Sequence, residues 1–230
     1  MIILRHDIDN AYSNKYLLLA HMKGALPRFY GYLRTTEMLL RFEMDYGMHS
    51  TWFFRRVTRP SSKLRLELER CGNEIGFHAD RIHVQSAFAY DLQKALNGAG
   101  CLGFTKHGHK GLKTDSSIGG EGENYSLELC IERGEQYHLK YFSGNEPYDG
   151  QAPYRHRNLV VFPSMFSLVP GYMKGEYTLD WLAQNQNKDI VVVVHPEDFL
   201  KYPEVVKGFY ERCRFVSFEE YLAGYAGRRL

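Results

Sequence analysis

The sequence predicts an α/β fold, a parallel sheet closed or nearly closed into a barrel and wrapped by helices. Three observations predict it. Ile190-Val-Val-Val-Val194 is a continuous apolar run, which reads as a central strand covered on both faces, the mark of a parallel sheet. Strand-like runs alternate along the chain with amphipathic segments, as in repeated βα units. Ionisable residues gather just past several of the strand-like runs, at the end of the sheet where such barrels carry their chemistry. A length of 230 residues suits one large domain over 1–230 with a substantial core.

In chain order, Ile2 to Arg5 is a short apolar run and the first strand. His49-Ser-Thr-Trp-Phe-Phe-Arg55 is β-branched and aromatic and follows Gly47, a residue suited to ending a helix. Glu74-Ile-Gly-Phe-His78, Cys101 to Lys106, Leu159 to Phe162, the valine run and Arg214 to Ser217 complete about seven strands. Between them, Thr35 to Tyr46 carries Met38, Leu39, Phe42 and Tyr46 at helical spacing. Ser62 to Cys71 and Val84 to Asn97 also read as helices. Pro203 before Glu204 suits a first helical turn, and Ser217-Phe-Glu-Glu220 is a capping box that opens the last helix. Two stretches break the rhythm. Asn14 to Gly31 is apolar but interrupted by Gly24 and Pro27, and reads as an extra segment over the first crossover. Lys106 to Glu123 is a long Gly-rich polar loop, of a length that is functional or mobile in a compact domain.

Composition narrows the partners. The chain is 44% hydrophobic and 24% charged with a formal net charge of +2, so bulk electrostatics point to no nucleic acid and no membrane surface. Aromatics make up 14%, including 17 Tyr, a content that a Tyr-rich core explains as well as a groove stacking on sugar rings. Cys71, Cys101, Cys130 and Cys213 are widely spaced and read as reduced thiols. No stretch reaches the roughly 18 apolar residues of a membrane span. The opening apolar run is too short for a signal peptide and is broken by Arg5, His6 and Asp7, so the expectation is a cytoplasmic protein.

The strand ends carry the candidate site. The first ends in His6, Asp7 and Asp9; the third in His78 and Asp80, with His83 beyond; the fourth in His107 and His109; the valine strand in His195 and Asp198. On a continuing strand, Asp7 and Asp9 share one face. Two adjacent carboxylates repel unless a cation or a shared proton neutralises them, so the pair asks for a metal, unless Asp9 and Asn10 merely form a solvated turn. A single strand-end histidine is as well explained as a hydrogen-bonded core group. Several of them together with carboxylates suit zinc or a similar divalent ion with open coordination positions.

Taken in order, LRHDID, STWFF, GNEIGFH, VVVVHPEDF and RFVSFEEY resemble the polysaccharide deacetylase superfamily (NodB homology, carbohydrate esterase family 4), in its divergent branch whose first motif reads H-D-V-D. The resemblance runs from residue 2 to about 222. It implies a distorted, NodB-like (β/α) barrel of about seven strands and metal-dependent removal of acetyl groups from N-acetyl sugars. By it, Asp7 is the general base, Asp9 and His78 are metal ligands, and His195 is the general acid; Asp198, three residues on, either orients that histidine or simply begins the next turn. The family's second motif has two histidines four residues apart. Here Ile82 holds that position, and His83, His107 or His109 is left to complete the site. No clear match to the family's Arg-Pro motif, which orients the base, is present; Arg55 and Arg155 are the candidates. The implied cofactor is a divalent metal, zinc or else iron, cobalt or nickel. The implied substrate is an acylated amino sugar, as a lipid- or nucleotide-linked glycan precursor of a surface polysaccharide. The alternatives are a degenerate barrel that binds carbohydrate without chemistry, or another metallohydrolase chemistry on the same barrel.

Overall fold

A computed structural model describes residues 1–12, 31–108, 126–170 and 177–226. His109 and most of the Asn14–Gly31 and Lys106–Glu123 stretches lie outside the described residues. The strands are β1 (Ile2–Ile8), β2 (Thr51–Phe54), β3 (Glu74–Ala79), β4 (Gly103–Lys106), β5 (Tyr141–Pro147), β6 (Tyr154–His156), β7 (Leu159–Ser167), β8 (Ile190–Val193) and β9 (Phe215–Val216). The helices are α1 (Arg34–Met44), α2 (Ser62–Arg70), α3 (Gln85–Ala95), α4 (Leu127–Gln136), α5 (Leu179–Gln184), α6 (Pro196–Lys201), α7 (Pro203–Arg212) and α8 (Phe218–Ala226).

Strands β1, β2, β3, β4, β5, β7 and β8 pair in that order, all parallel, and β8 returns to β1, so the sheet closes as a seven-stranded (β/α) barrel. The expected number of strands is met with a different membership. Tyr141–Pro147 is the fifth barrel strand, where the sequence reading had none. The expected last strand stands outside the ring: β9 pairs with Ile2 and Ile3 of β1, below the stretch Arg5–Ile8 that pairs with β2. β6 is an antiparallel flap on β7. The capping box at α8 forms as read: the Ser217 N–H donates to Glu220 at 3.0 Å and the Glu220 N–H donates to the Ser217 hydroxyl at 3.1 Å. All four cysteines are free thiols.

Strand alternation sorts the side chains. Ile2, Leu4, Ile8, Trp52, Phe54, Val192 and Phe104 face outward into the layer beneath the helices. Ile3, Phe53, Tyr141, Val160, Phe162 and Val191 face inward, and Phe218 and Tyr221 of α8 close the lower end over them. Tyr141 and Phe218 stack with ring centroids 4.4 Å apart. Gly76 and Gly103 make the room: a Cβ on the first would strike the Phe53 ring, and one on the second the Tyr141 ring. The lower barrel is thus a largely apolar plug that also holds the hydrogen-bonded Thr51 and Glu74, while Arg5, Asp7 and His78 stand above it, where the strands finish.

Candidate active site

The site begins with β1. Ile3 is part of the plug; two residues on, Arg5 is inside the barrel, then Asp7, and Asp9 follows just past the strand. Arg5 is almost fully buried, and its guanidinium donates to the Ser143 hydroxyl at 2.7 Å, to the Gly144 carbonyl at 3.0 Å and to Asp7 Oδ2 at 2.9 Å. The other carboxylate oxygen, Asp7 Oδ1, is buried and takes no hydrogen bond among the described residues. A buried, unpaired carboxylate oxygen is costly, and this one stands where the barrel strands finish.

Asp9, His78 and His107 converge above it. They come from the ends of β1, β3 and β4, and one ligand atom from each lies within 4.8 Å of the other two. His78 Nε2 is 2.9 Å and His107 Nε2 is 3.6 Å from Asp9 Oδ1, and the two imidazoles meet edge to face at 5.3 Å. Burial alone would raise the Asp9 carboxyl, but His107, His78 and His195 around it hold it well below the usual carboxylate range. Burial, helped by Arg55 and His78 against the pull of Asp9, pushes His107 down to about 4, so its imidazole is neutral at neutral pH and has a lone pair to offer. An ionised carboxylate and two imidazole nitrogens facing one point are a donor set for a divalent transition metal with positions left open.

Of the other candidates for the third position, His109 lies outside the described residues. His83 is not brought into the group: it is exposed past the buried Ile82, and its carbonyl faces Arg133 at 3.5 Å. The physical reason is the barrel itself. The loop after β3 turns outward at Ile82, while β4 hydrogen-bonds beside β3 and brings its own end to the same place; the His107 N–H donates to the Ala79 carbonyl at 2.8 Å. His6, outward-facing on β1, belongs to a separate buried cluster, with Nε2 2.8 Å from Glu43 and Nδ1 3.1 Å from the Val194 carbonyl.

His195 follows β8. Its Nε2 is 3.6 Å from Asp9 Oδ2, and its Nδ1 is 2.9 Å from Asp198 Oδ2, which also accepts the His195 backbone N–H at 3.0 Å. Burial lowers its affinity for a proton, but the Asp198 hydrogen bond and the charges of Asp9 and Asp7 outweigh it and raise the pKa to about 10. His195 is therefore an imidazolium at neutral pH, with Nδ1–H committed to Asp198 and Nε2–H directed at the site.

Sequence reasoning missed Arg5 and Asn145 here and gave Arg55 a different role. Arg5, and neither expected arginine, holds Asp7; Arg155 is exposed on β6. Arg55 instead donates to the Asp9 carbonyl and to Asp80, each at 2.7 Å, and Asp80 lies 3.5 Å from His107 Nδ1. Asn145 of β5 accepts from Arg5 and from the Thr105 hydroxyl, and donates to the carbonyls of Lys106 and Gly108. Alternation on β1 was a usable signal for Arg5, two residues before Asp7. Nothing in the sequence marked Asn145, because its strand was not recognised.

No family model matches the sequence, and no curated protein does. Solved structures do. The Xyl-CE4 domain of a multidomain xylanase from the hindgut metagenome of Trinervitermes trinervoides aligns over 98% of this chain and 90% of its own, at 12% identity with a TM-score of 0.50. The catalytic domain of a peptidoglycan N-acetylglucosamine deacetylase from Eubacterium rectale aligns over 94% of this chain and 87% of its own, at 14% identity with a TM-score of 0.47. The first likeness establishes the fold, a NodB-like barrel; at such identity the chemistry has to be argued from the residues.

Proposed function

We propose that this NodB-like barrel is a metal-dependent hydrolase of the polysaccharide deacetylase superfamily, which removes an acyl group, acetyl first among them, from an amino sugar of a surface-polysaccharide precursor. The observation that carries the reading is the convergence of Asp9, His78 and His107 beside Asp7 Oδ1, which takes no hydrogen bond among the described residues, and His195 held by Asp198. The departure of the second motif from the family's histidine spacing is made up where β4 brings His107 to the same point.

Asp9, His78 and His107 would hold a divalent ion, and its Lewis acidity would polarise the acyl carbonyl and make water more acidic. Asp7 is the general base. Arg5 occupies Oδ2, so Oδ1 is the oxygen left to take the proton of the attacking water. His195 is the general acid: its Nε2 proton passes to the sugar nitrogen as the C–N bond breaks, giving the amine and the carboxylic acid. An amide nitrogen is a poor leaving group without that proton, and a histidine kept charged by Asp198 suits an amide. Asp198 also keeps the remaining proton on Nδ1 and the ring in place.

The test is elemental mass spectrometry of the purified protein beside release of acetate from N-acetylated sugars, free, lipid-linked and nucleotide-linked. About one divalent metal per chain is expected, lost in His107→Ala and kept in His83→Ala, with acetate release following the metal. Wild-type protein that takes up neither zinc nor cobalt overturns the hydrolase reading and leaves a carbohydrate-binding barrel.

A further inference from the structure

The base and one metal ligand are joined by a side chain that neither the chemistry nor the motifs assign. Asn145 is buried inside the barrel on β5, next to Gly144, where the pairing with β7 shifts register between Ser143 and Glu146. The orientation of its amide is fixed by its partners. Oδ1 faces two donors, the Arg5 guanidinium and the Thr105 hydroxyl at 3.2 Å. Nδ2 faces two acceptors, the carbonyl of Lys106 and, at 3.0 Å, that of Gly108. These two carbonyls flank His107. Its own N–H is tied to Ala79 at 2.8 Å and its own carbonyl to the Lys106 ammonium at 3.1 Å. Gly108 has a left-handed φ of +85°, so the chain turns sharply just after the histidine. The Asn145 amide therefore clamps the backbone on both sides of the residue that directly follows a four-residue strand.

We propose that Asn145 is the positioning residue of the site: its amide N–H groups set where the His107 imidazole stands, and its amide oxygen holds the Arg5 guanidinium that orients Asp7. This rests on the metal reading above. A metal site needs its ligands held by the groups behind them, and the loss of such a group lowers affinity by about 10- to 100-fold. The two halves of the amide separate the two roles. Asn145→Asp keeps the shape and the acceptor for Arg5 but removes both donors. Asn145→Ala removes everything.

The experiment measures zinc binding to the full-length protein by calorimetry, the visible spectrum of the cobalt(II) form, and kcat at saturating metal. Asn73→Ala is the control. Asn73 is an equally buried amide at the opposite end of the barrel, accepting the Ser50 N–H at 2.9 Å. Asn145→Asp is expected to weaken zinc binding 10- to 100-fold and to change the cobalt spectrum. Asn145→Ala is expected to add a fall in kcat with metal saturating. Asn73→Ala is expected to lower the melting temperature and leave zinc affinity and spectrum as in wild type. Zinc affinity and a cobalt spectrum unchanged in Asn145→Asp overturn the assignment, as does equal weakening by Asn73→Ala, which would mean general loosening. In those cases wild type still binds zinc and the hydrolase reading stands; a wild type that binds no metal removes both.

Discussion

Asp7 and Asp9 are two residues apart on one face, yet their surroundings give them different work. Asp9 has three histidines around it; Asp7 has an arginine on one oxygen and, among the described residues, no hydrogen bond on the other. Asp7→Asn is therefore expected to lower kcat by about 10²- to 10⁴-fold, the contribution of a general base, with zinc affinity changed no more than a few-fold. Calorimetry showing that zinc is lost as well would make Asp7 a ligand instead of a base. Most of this site was legible residue by residue: Asp7, Asp9, His78, His107 and His195 stand out because they end strand-like runs. The choice among the histidines was not legible, because the spacing from His78 to His83 is counted along the chain whereas the barrel brings in its neighbour's strand end. At the other end of β3, Glu74 takes hydrogen bonds from Thr51 and Tyr141, each at 2.8 Å, and from the Glu219 N–H at 2.9 Å. Burial still wins and raises its pKa to about 7. The folded chain then holds a proton that the unfolded chain has released above its ordinary value, so stability falls as pH rises between about 4.5 and 7. Below pH 6.5 His107, pushed down to about 4, acts in the opposite sense, so the fall is read as the difference between wild-type and Glu74→Gln melting curves from pH 5 to 8, at most about 3 kcal/mol. An identical slope in the variant would assign the effect to another group.

Among the elements, β5 was the one hidden in the sequence. Strands β1, β2 and β8 are carried by apolar or β-branched runs, whereas β5 reads Tyr-Phe-Ser-Gly-Asn-Glu-Pro. Its inward positions after Tyr141 hold polar groups that serve Arg5, so the period-2 hydrophobic signal is absent where the strand lines the site. A strand that furnishes a polar interior gives up the pattern by which strands are found. β9 shows the opposite error: Phe215 and Val216 have strand character, but their place is under the barrel and not in it. The plug yields a prediction at the same scale. Gly103 faces the Tyr141 ring with no room for a methyl group, while Gly100 has open space at the same distance and no left-handed backbone. Gly103→Ala is expected to destabilise the fold by about 1–3 kcal/mol through overpacking, and Gly100→Ala to leave the melting temperature unchanged or slightly raised. Equal melting temperatures for the two variants would mean that the Tyr141 and Phe218 rings yield.

Taken whole, the molecule is a ring of strands whose open end is held by interactions between neighbours. Asp9, His78 and His107 stand at the ends of β1, β3 and β4, with β2 between the first two, so an ion bound there would tie one side of the barrel together. Free zinc at about 100 times its dissociation constant is expected to add about 2.7 kcal/mol, a rise in melting temperature of about 5–10 °C at this chain length. A chelator should reverse it, and His107→Ala should not respond; a variant that rises as wild type does would place the zinc elsewhere. The ring also closes late. β1 supplies Arg5, Asp7 and Asp9, and the strand that seals its other edge, β8, starts at Ile190. During synthesis at about 5–20 residues per second, the nascent β1 waits roughly 10–40 s for that partner to leave the ribosome, with Ile2, Ile3 and Leu4 unsatisfied along one edge. The strand that carries Arg5 and Asp7 thus waits for an edge made far later in the chain, and a cell making this protein has an interval in which a chaperone, or another nascent copy, can reach that strand before its own chain does.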